Sequence, residues 1–183
     1  MAGKQMECEK VRKFEKSMDV LKQSLKLFKE LDSGVLQLVL SEYAFALNHM
    51  GTLHFQMKNN EKALEYFRES QKLFEQLSDT NPTGSKPYVA MTLGNISAVY
   101  IEIGEIALAE ENLLSALHTY SELIEKSPNV FIGTGLKLVL NLKHLYEMKS
   151  GLSQDEAKHK IQSVLTEIFG RELTDGFLKH GII

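Results

Sequence analysis

The 183-residue sequence contains no tryptophan, one cysteine and only three prolines. The lone Cys8 excludes an intrachain disulfide framework and a cysteine-based zinc site, and it suits a reducing, cytoplasmic setting. Its neighbours Glu7 and Glu9 disfavour a thiolate, so it does not read as a nucleophile. With prolines only at Pro82, Pro87 and Pro128, long helices are permitted. No uncharged apolar run approaches the ~20 residues of a membrane span. Met1 to Arg12 lacks the apolar core of a secretory signal. Basic excess is missing too: 21 Lys+Arg against 24 Asp+Glu leaves a net charge of −3, which argues against a dedicated nucleic-acid binder.

Catalytic spacing is equally scarce. The glycines sit singly, and Gly133-Thr134-Gly135 lacks the third glycine and the preceding strand of a phosphate loop. None of His49, His54, His118, His144, His159 and His180 pairs at i,i+4 around a carboxylate, as a helical zinc hydrolase requires. Glu110-Glu111 and Glu122/Glu125 read as the solvated side of a helix. The expectation is a chain with no enzyme activity, no cofactor and no metal. What is present is a 43% hydrophobic, 25% charged composition, ordinary for a folded domain.

The chain repeats itself. Phe14–Leu31 aligns with Asn60–Leu77, 46 positions on, with identities at Glu15/Glu61, Lys16/Lys62, Ser24/Ser70, Lys26/Lys72, Leu27/Leu73, Phe28/Phe74 and Leu31/Leu77. The same step reaches Ile106–Leu123, where Ala109, Leu113, Ala116, Tyr120 and Leu123 fall under Ala63, Phe67, Ser70, Phe74 and Leu77. Spacings of three, four and seven place these residues on one helical stripe. The small residues within it (Ser17, Ala63, Ala109; Ser24, Ser70, Ala116) admit a second helix closely. The segments before the stripes align as well: Leu47, Met50, Gly51 and His54 match Leu93, Ile96, Ser97 and Tyr100, and then Val139, Leu142, Lys143 and Tyr146.

This pattern resembles the tetratricopeptide repeat, a helix–turn–helix unit. The resemblance is carried in one repeat by Leu93, Ile96, Ser97, Tyr100, Gly104, Ala109, Leu113 and Ala116. In the other it is carried by Leu47, Met50, Gly51, His54, Lys58, Ala63, Phe67 and Ser70. The period of 46 exceeds the family's usual 34. The signature proline is replaced by Glu75 and Ser121, and the third repeat puts Lys143 where a small residue belongs. There two extra residues are needed before Ala157, Ile161 and Val164 take the second-helix positions, as in a degenerate terminal repeat.

The resemblance implies an all-α, right-handed α-solenoid of about three helical hairpins, read as one domain over residues 1–183. An unpaired N-terminal helix covers 7–31. The repeats cover 35–77, 87–126 and 130–169, and a short C-terminal helix covers 174–180. Asp32-Ser33-Gly34 ends the first helix, 78–86 forms a loop of turn residues, Ser127-Pro128 opens a helix, and Ser153 with Glu156 forms a capping box.

It also implies a protein or peptide partner, held in a groove lined by the first helix of each repeat. Those positions are Phe45, Asn48, His49 and Thr52; Met91, Gly94, Asn95 and Ala98; and Lys137, Leu140, Asn141 and His144. Asn48, Asn95 and Asn141 form a recurring amide series able to hold a peptide backbone. Members that clamp a peptide carboxylate carry a set that Asn95 and Lys137 match, whereas Asn48, Thr52 and Asn141 depart from it. One cation in place of three does not fit that clamp. The alternative is a structural subunit that forms a homodimer through Phe14, Met18, Leu21, Leu25 and Phe28 of the unpaired helix. The six acids between Ile101 and Glu125, with no Lys or Arg among them, offer a further patch that could steer a basic partner.

Overall fold

Helix ends, rather than loops, set the architecture. A computed structural model describes the backbone of residues 2–149 and 151–183, with side chains described from Arg12 onward except at Thr83 and Ser150. Cys8 therefore lies outside the described side chains. Eight helices and no strand occur among the described residues: α1 Ala2–Glu30, α2 Ser33–Leu38, α3 Leu40–Gln56, α4 Asn60–Thr80, α5 Pro82–Ile103, α6 Ile106–Lys126, α7 Pro128–Met148 and α8 Gln154–Lys179. The chain is all-α, and it divides into two compact units, 1–85 and 86–183.

The repeat is visible in how the first helices end. After α3, Lys58 N–H donates to the Phe55 carbonyl at 2.9 Å and Asn59 N–H to the His54 carbonyl at 2.9 Å. After α5, Gly104 N–H donates to Ile101 at 3.1 Å and Glu105 N–H to Tyr100 at 2.9 Å. Both are Schellman closures, which need a left-handed residue. Lys58 supplies it at φ 60 and Gly104 at φ 81. The two stand 46 positions apart, as the repeat requires.

In unit 1, α3 packs along α4. Ala44, Leu47 and Met50 of α3 and Ala63, Phe67 and Phe74 of α4 are almost completely buried, and the Ser70 hydroxyl donates to the Ala44 carbonyl at 2.8 Å. Gly51 brings the helices close, since a Cβ there would lie 2.6 Å from the Phe67 ring. The N-terminal helix is not left unpaired. α1 packs on α3, with Met18 and Leu25 buried and Phe14, Leu21 and Phe28 partly so. Phe28 lies 5.3 Å from Tyr43 between ring centroids. The five residues expected to be open for self-association therefore face the chain's own interior. Met18 and Leu25 sit one position on from the small Ser17 and Ser24, and this turns them onto α3.

In unit 2, the Ser97 hydroxyl of α5 donates to the Ala109 carbonyl of α6 at 2.9 Å, and Tyr120 OH donates to the Pro87 carbonyl at 3.1 Å. α7 packs on α6 and on α8. The capping box forms as expected, Ser153 accepting from Glu156 N–H while its own N–H donates to Glu156.

Four boundaries differ from expectation. Residues 78–86 are helical save for Asn81, because Asn81 accepts from Gly84 N–H at 3.1 Å and Pro82 opens α5, so turn formers serve as cap and first turn. Asp32 follows the end of α1 at Glu30, as expected, but it also opens a helix: its side chain accepts from Gly34 and Val35 N–H, making the separate α2. Ser127 stands at the start of α7 but gives no side-chain cap. In α8 the buried row is Ala157, Ile161 and Leu165, with Val164 only half-buried. The short terminal helix does exist, since Gly170 at φ 78 and ψ 168 breaks α8 before Arg171.

Candidate functional site

The residues expected to meet a partner fall into different environments. On α3, Asn48 is buried at 6% exposure, Phe45 and Thr52 are half-buried, and His49 is exposed. Phe45 packs edge-on against Phe74 at 5.0 Å, and the Thr52 hydroxyl donates to the Asn48 carbonyl at 3.0 Å. Phe45 is therefore partly committed to its own hairpin. On α5, Met91, Asn95 and Ala98 are half-buried, and Gly94 is buried where a Cβ would lie 2.7 Å from Leu138 of α7. Gly94 serves helix packing and does not line a surface.

On α7 the pattern is cleaner. Lys137, Leu140, Asn141 and His144 are all exposed, while Leu138, Val139, Leu142 and Leu145 are buried. The exposed four sit at i, i+3, i+4 and i+7, one face of a helix. Leu140 keeps 46% of its surface exposed, an apolar side chain among polar ones. The three asparagines thus grade from buried (Asn48) through half-buried (Asn95) to exposed (Asn141), so they are not three equivalent positions.

Electrostatics single out a different cluster, around a glutamate whose sequence neighbours look like an ordinary solvated helix face. Glu110 of α6 accepts from Tyr146 OH at 2.6 Å and from Lys149 Nζ at 2.9 Å, and Lys160 Nζ lies 3.2 Å away. Burial pulls the Glu110 carboxyl upward, but these three donors outweigh it and hold it below the usual carboxylate value. Burial, followed by the bond to Glu110, pushes Tyr146 up. The network joins α6, α7 and α8, and every polar atom in it has a partner, so it reads as a clasp. Glu122 likewise pairs with Lys86 at 2.8 Å. Two of the six acids expected to form a patch are therefore already neutralised.

His54 fills the aromatic position of its repeat, as expected. It is buried and stacked on Tyr66 at 5.3 Å with 9° between the rings. Burial first, then Lys62 and Lys22, hold its imidazole below the ordinary value, and Nδ1 has no hydrogen-bond partner. Among the described residues no group of three or more His, Cys, Asp or Glu is placed to hold a metal ion. No described helix is long and apolar enough to cross a membrane.

No curated protein matches the sequence. A family model described as "Tetratricopeptide repeat" matches residues 42–122, from the first turn of α3 to the last turns of α6. Repeats of this family generally mediate protein–protein interaction. The match spans both hairpins that close on Lys58 and Gly104, and stops short of α7 and α8, where Lys143 replaces the small residue. Residues 42–122 match the tetratricopeptide-repeat model, and the two helical hairpins they form fit a helical repeat fold of that kind.

Proposed function

We propose that this chain is a non-enzymatic protein-interaction module, a cytoplasmic scaffold that holds a segment of a partner protein against the first helices of its repeats. The observation that carries the reading is the exposed row Lys137, Leu140, Asn141 and His144 on α7, an apolar anchor flanked by a cation, an amide and an imidazole. Such a face combines area to exclude water with donors and acceptors for a peptide backbone. Met91, Asn95 and Ala98 of α5 extend the same unit's contribution, and exposed His49 with half-buried Thr52 offers the α3 equivalent. Asn48 is too deeply buried to take part without rearrangement.

The test is a quantitative affinity capture from cells with the wild type, Leu140→Asp and Asn95→Ala beside Leu108→Asp. Leu108 is similarly exposed, but it lies on α6, a second helix. Partners depleted by Leu140→Asp and Asn95→Ala and retained by Leu108→Asp support the reading. Partners that ignore both, or that depend only on Leu108, reject it.

A further inference from the structure

A row of apolar residues along α1 and at its end stands open to solvent. Val20 is 63% exposed, Leu27 64% and Leu31 37%, and their spacings of seven and four set them on one helical stripe. The stripe lies off the face that packs on α3, where Met18 and Leu25 are buried. The small Ser17 and Ser24 border it. The Ser24 hydroxyl donates to the Val20 carbonyl at 3.0 Å, so another helix can cover it without orphaning a donor.

The repeat shows what the same stripe does one period on. Adding 46 carries Ser17, Val20, Ser24, Leu27 and Leu31 onto Ala63, Tyr66, Ser70, Leu73 and Leu77 of α4. There Ala63 and Ser70 are fully buried. Tyr66, Leu73 and Leu77 pack against the cluster that holds Met18 and Leu25 of α1 with Leu47 and Met50 of α3. At this position of a second helix the stripe is a contact between helices. On α1 it is uncovered, and a row of large apolar side chains left in the open marks an association surface.

Charge along the stripe indicates the occupant. Lys13 and Lys16 flank its first half, and Glu30 and Asp32 its second. The other charges between Lys13 and Asp32, namely Glu15, Asp19, Lys22, Lys26 and Lys29, stand roughly 100–180° round the helix from it. Glu30 is held within the chain only by a pair with Lys26 at 3.8 Å, both side chains being largely exposed, and a carboxylate can accept a second cation. The pattern is self-complementary: Val20 and Leu27, Lys16 and Glu30, and Ser17 and Leu31 are each spaced evenly about Gln23–Ser24. A two-fold contact requires such a pattern. We propose that the chain forms a homodimer through this stripe, α1 of one copy antiparallel to α1 of the other. Val20 of each copy then meets Leu27 of the other, Leu31 lies over the small Ser17, and Lys16 reaches Glu30. The proposal goes beyond the interaction-module reading and does not depend on the α7 face.

Sedimentation equilibrium of the full chain, from micromolar to near-millimolar concentration, tests it. The mass rises toward twice that of one chain. Leu27→Glu, at a position already exposed, leaves the circular dichroism spectrum unchanged and raises the dissociation constant at least about a hundredfold, because each dimer loses two buried leucines. Lys16→Glu and Glu30→Lys each weaken the dimer, and the double variant restores it. In a Cys8→Ser background, Gln23→Cys forms an interchain disulfide, whereas Lys16→Cys, roughly 20 Å along the helix from its counterpart, does not. A chain that stays single over the whole range overturns the proposal. So does a dimer that survives Leu27→Glu or is lost in Leu140→Asp, because the contact then lies elsewhere. Lys16→Cys crosslinking as readily as Gln23→Cys overturns the antiparallel pairing. A single chain whose Leu27→Glu variant loses a captured protein that wild type and Leu140→Asp retain gives the stripe to another partner, and overturns the second copy.

Discussion

Replacing Gly51 with alanine places a methyl group 2.6 Å from Cδ1 and 2.7 Å from Cε1 of Phe67, a ring only 1% exposed. Two effects oppose each other. Alanine is favoured over glycine in a helix interior by about 0.8–1 kcal/mol. Overpacking a closed core costs about 1–3 kcal/mol, because the ring has no space to retreat into. The balance is a loss of up to about 2 kcal/mol. Gly133→Ala retains only the favourable half, since its methyl group meets nothing within 4 Å, and it should gain roughly 0.5–1 kcal/mol. One chemical change thus acts with opposite sign at two helix-interior positions, and the difference isolates the close approach of α3 and α4. Thermal unfolding followed by circular dichroism reads it, at about 4–8 °C per kcal/mol for units of this size. A Gly51→Ala variant that melts as high as Gly133→Ala refutes the claim that this glycine sets the helix separation.

Three further outcomes follow from named residues. Lys58 holds a left-handed conformation at φ 60 where the next repeat has Gly104, so Lys58→Gly should stabilise unit 1 by about 1 kcal/mol in urea denaturation, and an unchanged midpoint contradicts the strain. The His54 imidazole is held below its ordinary value, so its contribution is complete above the unfolded value near 6.5 and fades as pH falls through the folded one. His54→Phe, which keeps the stack on Tyr66, should therefore raise the melting temperature more at pH 5 than at pH 8; an equal rise excludes the titration. Glu110 is also depressed, so its clasp contributes above about pH 4.3 and is lost on further acidification. Glu110→Ala should cost about 1–3 kcal/mol at pH 7, where the buried Tyr146 hydroxyl loses its acceptor, and the gap to wild type should narrow on acidification as the ion pairs with Lys149 and Lys160 are lost.

The hairpins were legible because their evidence is periodic: Ala63, Phe67 and Ser70 recur as Ala109, Leu113 and Ala116, and all six are buried. Helix ends were less so, since Asn81-Pro82 serves equally as turn or as cap and first residue, and only neighbouring hydrogen bonds decide. The forward packing of α1 was hidden for a related reason. Matching it to α4 identified the face that meets a preceding helix, while Met18 and Leu25, one position on, meet the next. For the interaction surface, repeat position predicted which way a residue points but not how deep it sits, so Asn48 and Asn141 looked alike and differ from 6% exposed to open.

Site-specific photo-crosslinking reads which helix face a partner touches. A photoreactive phenylalanine analogue placed at Leu140 on α7, and separately at Leu108 on α6, reports which face a partner occupies in the intact chain. Discrete crosslinked proteins should form from position 140, be competed away by an excess of unlabelled wild type and be absent from position 108. Crosslinks from 108 alone, or the same products from both positions, contradict that placement.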